Sequence, residues 1–215
     1  MKQTLPTGAT LLFQGDSITD CGRARDAAGP NGGLGGGYAS LIAARLLAAH
    51  PEKNLSIYNR GISGNRILDL AARIRGDVIN LKPDVLSILI GVNDTWHEFN
   101  YQNGVPVPKY QRLYREFLAE VRAALPKARF VLCEPFVLSC GVVTGAWVAE
   151  MNERRAVVAG LAKEFDAVWV PFQTLFDDSL RQAPPAYWAA DGVHPTLAGH
   201  QRMADQWLAA TGLIE

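Results

Sequence analysis

A serine near one end of the chain, and a carboxylate and an imidazole near the other, are of the right types for nucleophilic acyl transfer. Ser17 stands in Gly15-Asp16-Ser17, just past the apolar run 10–13. A serine hydroxyl is a poor nucleophile until a base accepts its proton. Asp191-Gly192-Val193-His194-Pro195 places a carboxylate three residues before a histidine. A turn there can bring the Asp191 carboxylate onto the ring Nδ1, fixing the tautomer and supporting an imidazolium. The other histidines are less well placed. His50 precedes Pro51 at a helix end, His97 follows the third apolar run and can line a cleft, and His200 falls in the last helical segment as a surface or supporting group. Each block also has a plainer reading. Gly-Asp-Ser makes turns and helix caps, and Asp-Gly-Val-His-Pro suits a loop entering a helix.

A tetrahedral intermediate needs hydrogen-bond donors at its oxyanion, each side-chain donor being worth about 3–4 kcal/mol. Two turns offer them. Asn59-Arg60-Gly61-Ile62-Ser63-Gly64-Asn65 contains Gly61, whose bare backbone N–H can approach a substrate, and Gly91-Val92-Asn93-Asp94 contains the Asn93 side chain. Trp96, His97, Tyr187 and Trp188 flank Asn93 and Asp191 and are candidate substrate-binding residues. Aromatic faces suit sugar rings, and crowding beside the nucleophile favours a small acyl group. Trp96 and Trp188 read equally well as core or interface aromatics. Asp16 and Asp20 read as holding the serine turn against an arginine, Arg23, Arg25 or Arg66.

These residues must be positioned by the elements between them. Continuous apolar runs at 10–14, 55–59, 84–90, 129–134 and 167–170 read as five strands buried on both faces. Amphipathic stretches at 38–50, 67–81, 110–125, 147–165 and 196–210 read as helices, with Arg73 and Arg75 as solvent charges of the second. The alternation predicts an α/β fold with a doubly wound parallel sheet, one domain over residues 1–215. In such a sheet, sites form at the carboxyl ends of strands, where all four blocks fall. The glycine-rich stretch 29–37 lacks the Gly-Lys-Ser/Thr of a phosphate loop and reads, like 100–108, as a loop on the cleft rim.

Twenty-one basic residues balance twenty-one acidic ones, so no nucleic-acid partner is expected. No run approaches a membrane span, and the first residues lack the apolar core of a signal peptide, making a cytoplasmic location the expectation. The three cysteines, Cys21, Cys133 and Cys140, read as reduced, with Cys133 in the core. The five tryptophans and an apolar C-terminus are compatible with a homo-oligomer.

No Gly-x-Ser-x-Gly elbow is present, which argues against the usual α/β-hydrolase arrangement. Gly-Asp-Ser after the first strand, Gly after the second, Gly-x-Asn-Asp after the third and Asp-x-x-His before the last helix together resemble the SGNH (GDSL) hydrolase family. The blocks occur in order from Gly15 to Pro195. The resemblance implies a three-layer flavodoxin-like fold with about five parallel strands. It implies Ser17 as nucleophile, His194 as base, Asp191 as its partner, and an oxyanion hole of the Ser17 and Gly61 amides with Asn93. GDSITDCGRAR, NRGISGN, GVNDTW and DGVHPTLAGH further resemble the subgroup containing bacterial acetylxylan esterases. That likeness implies removal of small acyl groups from acylated carbohydrate. Ala190 stands where those relatives lead one to expect tryptophan, and Trp188 is the nearby ring that can fill the place.

Three rival readings remain. A lipase or thioesterase would use the same residues on longer acyl chains. A metal-dependent phosphoesterase could draw ligands from Asp16, Asp20, Asp94, Asp191, His194 and His200, but no tight ligand spacing supports it, and no metal or cofactor is expected. A carbohydrate-binding module without activity conflicts with the complete Ser, Asn, Asp and His set.

Overall fold

The computed structural model describes residues 5–27 and 29–214. Strands β1 (Thr10–Gly15), β2 (Ser56–Asn59), β3 (Val85–Leu89), β4 (Arg129–Cys133) and β5 (Val168–Val170) form one parallel sheet in the order β2-β1-β3-β4-β5. Ten α-helical segments are described: α1 (Ser17–Asp20), α2 (Tyr38–Ala49), α3 (Ile67–Ala72), α4 (Ile74–Asp77), α5 (Val92–Tyr101), α6 (Val107–Ala124), α7 (Gly145–Glu164), α8 (Phe172–Ser179), α9 (Pro185–Trp188) and α10 (Leu197–Thr211). This is the α/β sheet with flanking helices expected from the alternation.

Side-chain alternation sorts the strands into two cores. Leu11, Phe13, Val85, Leu89, Val131 and Cys133 face α2, α8 and α10, whereas Leu12, Leu86, Ile88, Phe130 and Leu132 face α3, α4 and α6. Ser87, the polar residue in an otherwise apolar strand, is buried because the Trp207 indole N–H donates to its Oγ at 2.9 Å. A buried hydroxyl with a partner is tolerated where an unpaired one would not be.

The structure departs from the sequence reading at several places. The expected helix 67–81 is three pieces, α3, α4 and a 3-10 turn at Ile79–Leu81, with a break at Arg73. Arg73 is not a solvent charge. Its guanidinium reaches back to the Asn65 Oδ1, the Arg60 carbonyl and Asp77, fastening the helices under the strand ends. Helix α5 runs on to Tyr101 and α6 begins at Val107, so the loop expected at 100–108 is shorter.

In this strand order the chain winds one way from β1 to β2 and the other way from β3 onward. The crevice lies outside the carboxyl ends of β1 and β3, at the point of reversal. Ser17 follows β1 and Asn93 follows β3, which puts both at that crevice.

Candidate active site

Ser17 is the first residue of α1. Asp16 caps that helix, its Oδ1 accepting the Ile18 N–H at 3.0 Å, and the turn it forms fixes the serine at the strand end. Burial pushes the Asp16 carboxyl up to about 7, against the pull of the Ile18 N–H and His194. Asp20, as expected, anchors an arginine: its Oδ2 takes Arg25 at 3.2 Å and also the Ser63 N–H and hydroxyl.

Asp191 and His194 arrive on the loop before α10. The segment after β4 clamps that loop. Leu138 N–H donates to Gly192 O and Val142 N–H to Asp191 O. Gly141, at φ +59°, lies so close that a Cβ there would meet the Asp191 backbone at 2.4 Å. Held this way, Asp191 Oδ1 accepts the backbone N–H of Val193 (2.9 Å) and His194 (2.7 Å), while Oδ2 stands 2.6 Å from His194 Nδ1. On the other side of the ring, Nε2 is 2.8 Å from Ser17 Oγ. An ionised Asp191 accepts only, so Nδ1 carries the ring proton and Nε2 is free to accept that of Ser17. Burial pulls the Asp191 carboxyl up, but the hydrogen bonds from the His194 ring and the two backbone amides outweigh it and hold it below the usual carboxylate range. The arrangement can pass a serine proton to an imidazole and stabilise the resulting cation.

The oxyanion side needs a correction. Asn93 lies in the first turn of α5 after Gly91, whose φ of +135° permits the sharp exit from β3. One Asn93 Nδ2 hydrogen goes to Asn65 O at 3.1 Å, leaving the second for a substrate. Gly61, expected to supply a backbone donor, cannot do so as it stands. Its N–H donates to Asn59 Oδ1 at 2.9 Å and its carbonyl accepts from Arg23 Nε at 2.6 Å. A Cβ at Gly61 would meet the Asp20 nitrogen at 2.4 Å, so this glycine lets β2 press against α1. Gly64 has the features expected of a donor. At φ +83° it lies between Ser63, tied to Asp20, and Asn65, tied to Asn93. A Cβ there would meet nothing within 4 Å, and its N–H has no backbone acceptor among the described residues. The sequence signal was present as the second glycine of the Asn59 to Asn65 turn.

The four aromatic candidates separate. Trp96 is at the site, its ring 5.7 Å from that of His194. Tyr187 is 55% exposed. Trp188 is a core residue, 6% exposed, with its indole N–H donating to the Ser179 and Ala183 carbonyls, so it does not fill the place beside Ala190. His97 is on α5 one turn past Asn93, against Tyr101, and burial with the nearby Arg66 charge lowers its pKa. The six residues considered as metal ligands do not converge: among the described residues no group of three or more His, Cys, Asp or Glu side chains is placed to hold an ion.

His200 is buried rather than on the surface. Its Nδ1 accepts the Tyr38 N–H at 3.1 Å, so the ring proton sits on Nε2, facing Cys21 Sγ at 3.5 Å. Burial, helped by the His194 charge, pushes its pKa down to about 4. An unfolded histidine takes up its proton near pH 6.5, so between the two values the unfolded chain binds the extra proton and acidification destabilises the fold. The stability advantage of wild type over His200→Asn should therefore shrink by up to about 3 kcal/mol as pH falls from about 6.5 to about 4. Urea unfolding of both proteins across that range checks it; a constant difference would mean that folded His200 takes up its proton as readily as the unfolded residue.

Residues 13–202 match the GDSL-like Lipase/Acylhydrolase family. The chain belongs to that family. This GDSL-family chain is 37% identical over 211 residues to an acetylxylan esterase of Geobacillus stearothermophilus, covering 96% of this chain and 95% of that protein. A solved structure from Parabacteroides merdae, described as a GDSL-like lipase, superposes with a TM-score of 0.94 at 42% identity, covering 97% of each chain. A catalytic mutant of Axe2, the Geobacillus stearothermophilus acetylxylan esterase, superposes at 0.89 with 36% identity, covering 99% of this chain and 97% of that one. The GDSL-family chain is thus a carboxylic ester hydrolase with the fold of SGNH hydrolases. Among its described residues no helix is long and apolar enough to cross a membrane.

Proposed function

We propose that this esterase removes acetyl groups from carbohydrate, acetylated xylan fragments or xylo-oligosaccharides, through an acyl-serine intermediate. The observation that carries the mechanism is the continuous hydrogen-bonded chain from Ser17 Oγ through His194 to Asp191. The substrate class is supported by the similarity to an acetylxylan esterase and by Trp96 beside His194, which offers a sugar an aromatic face at the point of reaction.

Ser17 attacks the ester carbonyl as His194 Nε2 takes its proton, and Asp191 stays ionised against Nδ1. The oxyanion is received by the Ser17 and Gly64 backbone N–H groups and the free Asn93 Nδ2 hydrogen. His194 then protonates the departing alcohol, and water activated by the same ring cleaves the acyl-serine. Two solved Axe2 structures are of catalytic mutants, one with a serine and one with a histidine replaced by alanine, which agrees with these roles.

Hydrolysis of acetyl and octanoyl p-nitrophenyl esters tests the acyl side, followed by acetylated xylose. Strong acetyl preference with release of acetate from acetylated xylose is the expected result. Octanoyl preference would overturn the deacetylase reading in favour of a lipase or thioesterase, with the same serine chemistry.

A further inference from the structure

Helix α5 does more than present Asn93. Asn93, Trp96 and Phe99 recur every three residues, on one side of the helix, so Phe99 lies about 9 Å along the axis from the oxyanion donor. Trp96 touches the His194 ring at 5.7 Å and meets Trp147 edge-on at 5.3 Å. Trp147 in turn lies nearly parallel to Phe99, 24° between planes at 5.9 Å. Trp147 is buried in the first turn of α7 and holds the strip rigid, while Phe99 is 44% exposed. A single exposed apolar ring needs no explanation, but this one continues a fixed aromatic strip that starts at the reacting imidazole.

The chemistry of the step says which part of a substrate meets the strip. His194 must protonate the leaving oxygen, so the leaving alcohol, not the acyl group, lies on the His194 side, against Trp96. A flat, exposed ring on the leaving-group side suits the C–H face of a pyranose, whereas the acyl chain is held away from it, on the oxyanion side of the serine.

We propose that Trp96 and Phe99, backed by Trp147, form a two-ring subsite on the leaving-group side, Trp96 taking the acetylated sugar and Phe99 the next sugar of an oligosaccharide. The proposal rests on the carbohydrate reading above. It makes this chain an enzyme of oligosaccharides rather than of single sugars.

The test compares wild type with Phe99→Ala, Phe99→Leu and Phe99→Tyr, each checked for folding by thermal unfolding. KM is measured for acetylated xylose and acetylated xylotriose. In wild type KM should be lower for the xylotriose. In the Ala and Leu variants the ratio of KM for xylotriose to that for xylose should rise about 5- to 10-fold, the value of a lost ring contact, and Tyr should restore it. An unchanged ratio in the Ala and Leu variants overturns the subsite. So does a loss confined to octanoyl ester hydrolysis, which would make the strip an acyl groove. Wild type that cleaves p-nitrophenyl acetate but neither sugar ester would instead bring down the carbohydrate reading itself, and this subsite with it.

Discussion

Ser17→Ala is expected to lower kcat for p-nitrophenyl acetate by about five to six orders of magnitude, the size of effect that follows when a serine nucleophile working as one unit with its base is removed. The loss is chemical rather than structural. The Ser17 hydroxyl is hydrogen-bonded to His194 Nε2, at the open mouth of the crevice. The turn is held independently by Asp16, which caps α1 through the Ile18 N–H, and by the α1 backbone bonds to Asp20 and Cys21. Deleting one part-exposed hydroxyl therefore changes stability by no more than about 1 kcal/mol. Steady-state rates and thermal unfolding of both proteins decide the matter. A folded variant keeping a tenth of the activity would falsify the serine mechanism.

Asp191→Asn should cost about four orders of magnitude in kcat while leaving the loop in place, a loss like that seen when the same change is made in a serine-protease triad. The two backbone amides of Val193 and His194 donate to Oδ1, which an asparagine carbonyl can still provide. The amide NH2 must then face His194 Nδ1. The ring can accept that hydrogen bond only by moving its own proton to Nε2, where it points at Ser17 Oγ and can no longer receive the serine proton. The fault lies in the tautomer, so KM should change far less than kcat. A folded Asp191→Asn with less than a tenfold loss would mean that the carboxylate does not set the ring's proton.

Much of this site was legible because its parts are local. Asp191 reaches His194 across a three-residue turn, and the same carboxylate takes the intervening amides, so short-range spacing contains the contact. Asp16-Ser17 at the end of an apolar run likewise specifies a capped turn at a strand end. The glycines were harder. Gly61 and Gly64 belong to one turn, and either could supply a bare N–H. Gly61 is withdrawn by Asn59 in its own segment but also by contact with α1, some forty residues earlier in the chain. The aromatics divide for a similar reason. Trp188 turns into the core because the carbonyls of Ser179 and Ala183 receive its N–H, while Trp96 is brought to His194 from nearly a hundred residues away. Periodicity gave a helix over 67–81 but could not foresee that Arg73 would leave the solvent side for Asn65 and the Arg60 carbonyl.

Sequence by itself determined the alternation of strand and helix, the turn at Ser17 and the pairing of Asp191 with His194, because each depends on residue preferences and contacts within a few positions. Tertiary structure alone decided which glycine amide is free, which tryptophan meets the imidazole and that an aromatic strip leads away from it. Those outcomes depend on which distant groups compete for the same N–H or cover the same ring, and such competition exists only once the sheet has brought the strand ends together.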